Sequence, residues 1–388
     1  MKKILVVATV PSMIGQFNMN NIQILKNLGY EVHVACNFRD RSVWTVNRVK
    51  RFVGQLEDLK VEYHQIDFSR SPNNIRLIQK SFCQMNLLVM SKKFDVIHCH
   101  TPLAGVISRV LCHKNGIKVV YTAHGFHFYC GAPLKNWLIY YPVEKILSRW
   151  TDILITINRE DYKRARKKFY AQKTIYIPGT GIYIKGLNER QISIEEKRRE
   201  LGISCDEIML LSVGELNENK NHRAVIEALG EIKKSDKKYI EYLHYFIAGK
   251  GEQQDALIEL ADKQGIKLHL LGFRDDVPEI LKMTDIFILP SIREGLNVSL
   301  MEAMACKLPV ICSRIRGNTD LITGGKGGFL FVPTKKNDIK NKLEKMIEMS
   351  AEERRSFGEY NFQKIQKFSD REVEKKMYSI YKSFFEEI

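Results

Sequence analysis

Short apolar runs alternate with longer amphipathic stretches almost throughout the chain, a pattern that predicts parallel sheets covered by helices. In the first half, strands are expected at 3–9, 31–36, 61–66, 95–99, 118–123, 152–157 and 174–177. Helices are expected at 16–28, closed by Gly29, and at 73–91, 103–114 and 134–149. The pattern restarts after a polar, glycine-containing stretch at 179–200, which reads as a linker. Strands then fit 208–213, 242–248, 267–271, 285–289, 309–313 and 328–331, with helices at 221–233, 253–264, 277–282, 298–306 and 336–348. Two further helices, 351–368 and 370–386, close the chain without a strand. The expected fold class is therefore α/β, with two doubly wound Rossmann-like domains facing across a cleft. Their expected bounds are 1–184 and 185–368, with a final helical segment 369–388 packing back on the first domain. Ligands in such sheets bind at the carboxyl ends of the strands.

Composition changes that picture in one respect. At 388 residues, with 44% hydrophobic and 27% charged residues, the chain is ordinary globular protein. The net charge of +16 is unevenly spread: there are 27 basic and 11 acidic residues through Ile184, and 34 of each from Lys185 onward. One half therefore faces something anionic. The eight cysteines form no C-x-x-C pair; Cys36, Cys99, Cys306 and Cys312 read as buried thiols of a reducing compartment. Lys2-Lys3 followed by an apolar run imitates a signal peptide, but Pro11 ends the run early and no cleavage site follows, so a buried first strand is expected. No apolar run reaches the ~18 residues of a membrane span.

Candidate chemistry concentrates in the stretch from Ser291 to Ala305. A strand ends at Leu289-Pro290, a loop carries Glu294 and Gly295, and a helix opens after Asn297. Asn is a good N-cap, so the N–H groups of Val298, Ser299 and Leu300 are expected to be free for an anion such as a phosphate. Glu302 lies about a turn inside the helix. Spacing alone leaves a surface helix with two solvated acids equally open.

The order of residues S-x-x-E-G-L-x-x-x-L-M-E-A-M-A, followed by Pro309-Val310-Ile311, resembles the hallmark of retaining glycosyltransferases of family 4, which have the GT-B fold. Several other segments are similar to that family: Gly214 to Lys220 and His222, Gly249 to Glu252, Leu271 to Pro278, Gly317 to Asp320, and Tyr121 to Phe128. The run His98 to Pro102 and Trp137 to Pro142 resemble the bacterial exopolysaccharide and capsule members. The resemblance spans residues 3 to about 368.

That resemblance implies roles. Lys220 would neutralise the donor diphosphate. Glu302 would bind the ribose, Glu294 the transferred sugar, and backbone at Gly272 and Phe273 the base. Asn297, Val298 and Ser299 would complete the donor site. Glu215 stands where the family commonly has Arg and is excluded as a phosphate ligand. Gly15, in the loop read at 11–16, takes the place of the family's glycine loop, without its paired glycines. His124, at the end of a strand and before Gly125, would lie beside the transferring sugar as a catalytic group with Glu294, either hydrogen-bonding a hydroxyl or steadying charge. His98, His100, His124 and His127 match no standard zinc spacing, and no Asp-x-Asp occurs, so no metal and no cofactor are expected. The leaving phosphate itself would draw the acceptor proton in a front-face substitution.

The basic surplus includes Leu134 to Trp150 and Tyr162 to Tyr170, where aromatics are interleaved with Lys and Arg. In this family that half holds the acceptor. The expected partners are a nucleotide sugar, a polyprenyl-diphosphate-linked glycan and an anionic membrane surface. No nucleic-acid module is visible. The expected location is the cytoplasm, peripheral on the inner face of the cell membrane. The alternatives are a nucleotide-sugar epimerase of the same fold, or a non-enzymatic membrane-surface subunit of a polysaccharide assembly complex.

Overall fold

The computed structural model of the chain describes residues 1–189, 193–235 and 238–386, so residues 190–192 of the expected linker lie outside the described residues, as do 387 and 388 of the expected final segment. The chain forms two compact units, Met1–Gly181 with Arg371–Ile388, and Ile182–Asp370.

The first unit is built on seven parallel strands in the order β3-β2-β1-β4-β5-β6-β7. They are β1 (Lys3–Val7), β2 (Glu31–Cys36), β3 (Glu62–Gln65), β4 (Val96–His100), β5 (Lys118–Ala123), β6 (Ile153–Thr156) and β7 (Lys173–Tyr176). The central strands are near-continuous Val, Ile and Leu because helices cover both faces. Met19–Asn27 ends as its Gly predicts: Gly29 has φ 85° and the Tyr30 N–H returns to the Leu25 carbonyl. The loop read at 11–16 is instead a short helix, Pro11–Phe17, with Pro at its first position. A helix at Val46–Asp58, absent from the sequence reading, buries Val49, Phe52 and Leu56. The closing helix Asp370–Glu386 buries Val373, Met377, Ile380, Tyr381, Phe384 and Phe385. Within the first unit, the Tyr381 hydroxyl lies 2.8 Å from His98 Nδ1, and the Phe385 ring packs 4.1 Å from that of Tyr30.

The second unit holds six parallel strands in the order β10-β9-β8-β11-β12-β13. These are β8 (Ile208–Val213), β9 (Leu243–Ala248), β10 (Lys267–Gly272), β11 (Ile286–Leu289), β12 (Val310–Ser313) and β13 (Gly328–Phe331). Alternation along β8 divides the core. Met209 and Leu211 join the apolar cluster that takes in Val298–Ala305, whereas Leu210 joins the one under His222–Lys234 and Lys336–Glu348. The stretch expected as a linker carries two short helices, Ile184–Glu189 and Ile194–Glu200. Arg198 makes the second part of this unit, donating from its buried guanidinium to the carbonyls of Ser204, Glu207 and Met283.

In both sheets the strand order reverses beside the first strand, between β1 and β4 and between β8 and β11. Loops leaving the carboxyl ends of such a pair diverge and leave a crevice.

Candidate active site

Lys220 follows β8 and Glu294 follows β11, which puts both at the second unit's reversal point. Their side chains meet, with Lys220 Nζ 2.7 Å from Glu294 Oε1, and both are largely buried. Backbone and side-chain bonds make this meeting obligatory. The Ile292 N–H donates to the Asn219 carbonyl at 2.8 Å, Asn219 Nδ2 to the Arg293 carbonyl at 3.0 Å, and Asn221 Nδ2 to the Pro290 carbonyl at 3.2 Å. Asn221 itself takes a left-handed conformation, φ 56°, to turn the chain into His222–Lys234. Arg316, after β12, donates from Nε to the Glu294 carbonyl at 3.2 Å. Gly317 beside it has φ 78°, and a Cβ there would run into the Gly295 carbonyl.

Glycines let the neighbouring loops close on the lysine. A Cβ on Gly214 would lie 2.9 Å from Lys220 Cε, so the aliphatic stem lies flat across that residue. A Cβ on Gly249 would strike the Gly214 carbonyl, and Gly249 in turn bridges to Gly272. Gly272 has φ 66°, and Phe273 after it is 60% exposed. Glu215 points outward, its carboxylate accepting from Asn217 Nδ2 at 2.9 Å.

Asn297 caps Val298–Ala305: its Oδ1 accepts from the Leu300 N–H at 2.9 Å and from the Ser299 hydroxyl at 2.7 Å. The expected set of three open N–H groups is thus reduced to Val298 and Ser299, because the cap consumes that of Leu300. Glu302, on the same helix, is half-buried with no ion-pair partner among the described residues. Desolvation pushes its carboxyl up to about 7.

His124 and Gly15 lie in the first unit. His124 follows β5 directly and lies beside the ring of Phe17, 6.5 Å away, with its Nε2 3.2 Å from His100 Nδ1. His98 completes the row, 4.2 Å from His100 ring to ring, and is held by Tyr381 and by Thr122 Oγ1 at 2.9 Å. Burial lowers all three, His98 to about 3 and His124 to about 4, so His124 is a neutral imidazole at pH 7. Thr101, next to His100, adopts φ 64° and its hydroxyl accepts from the Thr9 N–H at 3.0 Å, tying β4's end to β1's. Gly15 is not in a glycine loop. It sits inside Pro11–Phe17, where a Cβ would collide with Trp44, so packing accounts for the small residue. His127 stacks on Tyr140 at 4.5 Å. Cys306, expected to be buried, is only half so. The contacts that the sequence left unsignalled are those of Asn219, Asn221, Arg316 and His100.

On the basic half, Leu134–Leu147 turns Leu134, Leu138, Ile139 and Ile146 outward. A groove beside it is lined by Trp137, Tyr141, Lys163, Arg164, Lys167 and Lys168. Among the described residues, no helix is long and apolar enough to cross a membrane.

Residues 193–364 match the family model of the glycosyl transferases group 1, and residues 3–158 that of the glycosyl transferase 4-like proteins. The chain is 33% identical over 392 residues to the putative glycosyltransferase EpsD of Bacillus subtilis (strain 168), covering 99% of this chain and 97% of that protein. It is 30% identical to the Escherichia coli UDP-Gal:alpha-D-GlcNAc-diphosphoundecaprenol alpha-1,3-galactosyltransferase, over 71% of this chain and 72% of that one. Among solved structures, Anabaena HepE in complex with UDP-glucose superposes with a TM-score of 0.77 at 18% identity, covering 99% of this chain and all of that one.

Proposed function

The chain belongs to the family 4 glycosyltransferases of the GT-B fold, as a hexosyltransferase of the exopolysaccharide and capsule type, and from that premise we propose its reaction. It moves a hexosyl or N-acetylhexosaminyl unit from a nucleoside diphosphate sugar, a UDP-sugar in the first instance, to a polyprenyl-diphosphate-linked glycan, with retention at the anomeric carbon. The observation that carries this reading is the Lys220–Glu294 pair beside the open N–H groups of Val298 and Ser299.

Lys220 Nζ has three donors and gives one to Glu294, which leaves two for diphosphate oxygens. Glu294 keeps an oxygen for the hydroxyls of the transferred sugar. Val298, Ser299 and the Asn297 cap hold the phosphate by backbone N–H and helix dipole. Glu302 accepts from the ribose, and Gly272 with Phe273 flank the base. As the C1–O bond to the phosphate breaks, Lys220 and the helix end stabilise the charge on the leaving diphosphate, and donors of this kind are each worth about 3–4 kcal/mol. The acceptor oxygen bonds to C1 on the same face, and its proton passes to the leaving phosphate. These groups supply the positive charge that a metal ion would, so the reaction as proposed needs no divalent cation. His124, neutral by burial, serves as a hydrogen-bond partner to a sugar hydroxyl, which favours the first of its two expected roles. No role is assigned to Gly15 beyond packing.

The Escherichia coli relative, a galactosyltransferase named for a diphosphoundecaprenol-linked acceptor, supports the lipid-linked glycan. HepE was solved with UDP and UDP-glucose, which supports a uridine donor. The outward apolar residues of Leu134–Leu147, flanked by Lys135, Lys145 and Arg149, supply an interfacial helix for an anionic membrane at the inner leaflet. The test is a thermal-shift panel of UDP, GDP and their sugars, followed by transfer of labelled sugar to a polyprenyl-diphosphate glycan. Stabilisation by a nucleotide with labelled lipid product is expected; isomerised free donor without acceptor, or no nucleotide binding at all, would overturn it.

A further inference from the structure

On β2 and the edge strand β3, far along the sheet from β5, three side chains converge. His33 Nδ1 lies 3.0 Å from His64 Nε2 and 3.4 Å from Glu62 Oε2, and His64 Nε2 lies 3.9 Å from Glu62 Oε1. Each of the three residues offers one ligand atom, and the atoms fall within 4.8 Å of one another. Donors bound tetrahedrally at ~2.0–2.2 Å stand about 3.3–3.6 Å apart, so the triangle is close to the face of a zinc site.

The surroundings select the ligating form of His33. His33 is buried, and its Nε2 meets the Glu31 carboxylate at 2.8 Å. A carboxylate accepts, so Nε2 carries the hydrogen and Nδ1 presents a bare lone pair to Glu62 Oε2. Without an ion, His64 Nε2–H can serve this nitrogen at 3.0 Å; a cation in its place would meet both imidazoles and the carboxylate at once. Lys92 Nζ does not fill that place, because it lies on the other carboxylate oxygen, 2.6 Å from Glu62 Oε1.

The second unit contains the same arrangement with one difference. There His244 Nδ1 lies 2.9 Å from His269 Nε2, and His244 Nε2 lies 2.9 Å from Glu207. His33 pairs in register with Glu62 two residues before His64; His244 pairs with Lys267 two residues before His269. Lys267 Nζ is 3.1 Å from His244 Nε2. It therefore lies on the Glu207 side of the ring, 3.5 Å from that carboxylate and away from His269, so the register position that supplies a third donor in the first unit supplies none in the second.

We propose that His33, His64 and Glu62 form a structural divalent-metal site, zinc being the ion of best fit, with a water as fourth ligand and Glu31 as its outer partner. The ion would clamp the edge strand β3 to β2, at one end of the sheet and away from the reacting groups. The sequence led to no expected metal anywhere in the chain; this cluster departs from that expectation and does not involve His98, His100, His124 or His127.

The test uses tag-free full chain, stripped with chelator and titrated with zinc chloride by calorimetry and with Co(II) by visible absorption. One equivalent per chain is expected, with the d–d bands of tetrahedral Co(II) and a raised melting temperature. Glu62→Gln and His64→Ala, both on the accessible side, should weaken binding at least tenfold while their apo forms keep the wild-type circular dichroism. Lys267→Glu should add a second equivalent. Absence of binding at micromolar zinc, or binding unchanged in both ligand variants, overturns the site; a stoichiometry still at one in Lys267→Glu overturns the argument from the third donor.

Discussion

Replacing Glu302 by Gln removes a charge that the fold holds against its preference. Desolvation takes this carboxyl from 4.5 to about 7, and each unit corresponds to about 1.4 kcal/mol. The ceiling of the penalty is therefore about 3 kcal/mol. Its pH dependence follows from proton counting. Below pH 4.5 the group is protonated in folded and unfolded chains alike, and nothing is lost. Between 4.5 and 7 the folded chain keeps a proton that unfolding releases, so stability falls as pH rises; above 7 the full penalty stands. Gln should abolish this slope. With about half the ceiling spent on the buried amide's own hydrogen bonds, a unit of this size should melt about 3–6 °C higher at pH 8 and, because only about 0.8 kcal/mol of the penalty is present at pH 5, about 1–3 °C lower than wild type there. The same variant should bind UDP at least tenfold more weakly at pH 8, since a charge-assisted bond to the ribose is worth about 1.5–3 kcal/mol. Wild-type affinity for UDP should itself decline as pH drops below 7. Scanning calorimetry and isothermal titration at the two pH values read both effects. A Gln variant less stable than wild type at pH 8, or equally shifted at both pH values, would refute the reasoning.

Other consequences can be measured separately. Lys220→Ala and Glu294→Ala should each lower transfer about a hundredfold or more, by loss of charge stabilisation at the diphosphate and of sugar positioning; full activity in both would dismiss the site. Gly317→Ala, at φ 78° and against the Gly295 carbonyl, should shift the Glu294 loop and reduce kcat/KM with little change in global melting. Glu144→Ala should cost about 3–5 kcal/mol in a denaturant titration, because Arg109, 1% exposed and 2.8 Å from that carboxylate, would be left buried and uncompensated. Sedimentation with anionic vesicles should fall as salt rises and fall again in Leu138→Glu; salt-independent binding would reject the basic-surface reading.

Much of the architecture was legible because buried parallel strands leave runs of Val, Ile and Leu; 31–36, 118–123, 208–213 and 328–331 coincide with strands to the residue. Departures have physical causes. Edge strand β3, expected at 61–66, is present but shorter, Glu62–Gln65, its apolar flanks Val61 and Ile66 lying just outside it. Pro11 and Gly15 suggested a loop, yet Pro is favoured at a first helical turn and the Gly makes room for Trp44. Val46–Asp58 has its buried apolar residues at 49, 52 and 56 among many charged and polar positions, a narrow stripe that gives little apolar signal between two strands. At the site, the side chains within one motif could be read in order. The bonds from Asn219 to Arg293 and from Arg316 to Glu294 join segments distant in sequence, and their type gives no hint of a partner. The pairing of His33 with His64 was hidden for the same reason, since only strand register brings them together.

The first unit begins the chain and is finished by residues 371–386, whose Tyr381 and Phe385 fill its interior. During synthesis at ~5–20 residues per second, this interior stays open for about 10–40 s after β7 has left the ribosome. The intervening unit, complete within 182–370, can fold in that interval. Assembly order is thereby inverted relative to chain order: the domain made second matures first, and the domain made first waits on the last helix. Loss of that helix would expose apolar surface on the half that is already the more basic, and so convert a terminal truncation into a defect at the opposite end of the gene product.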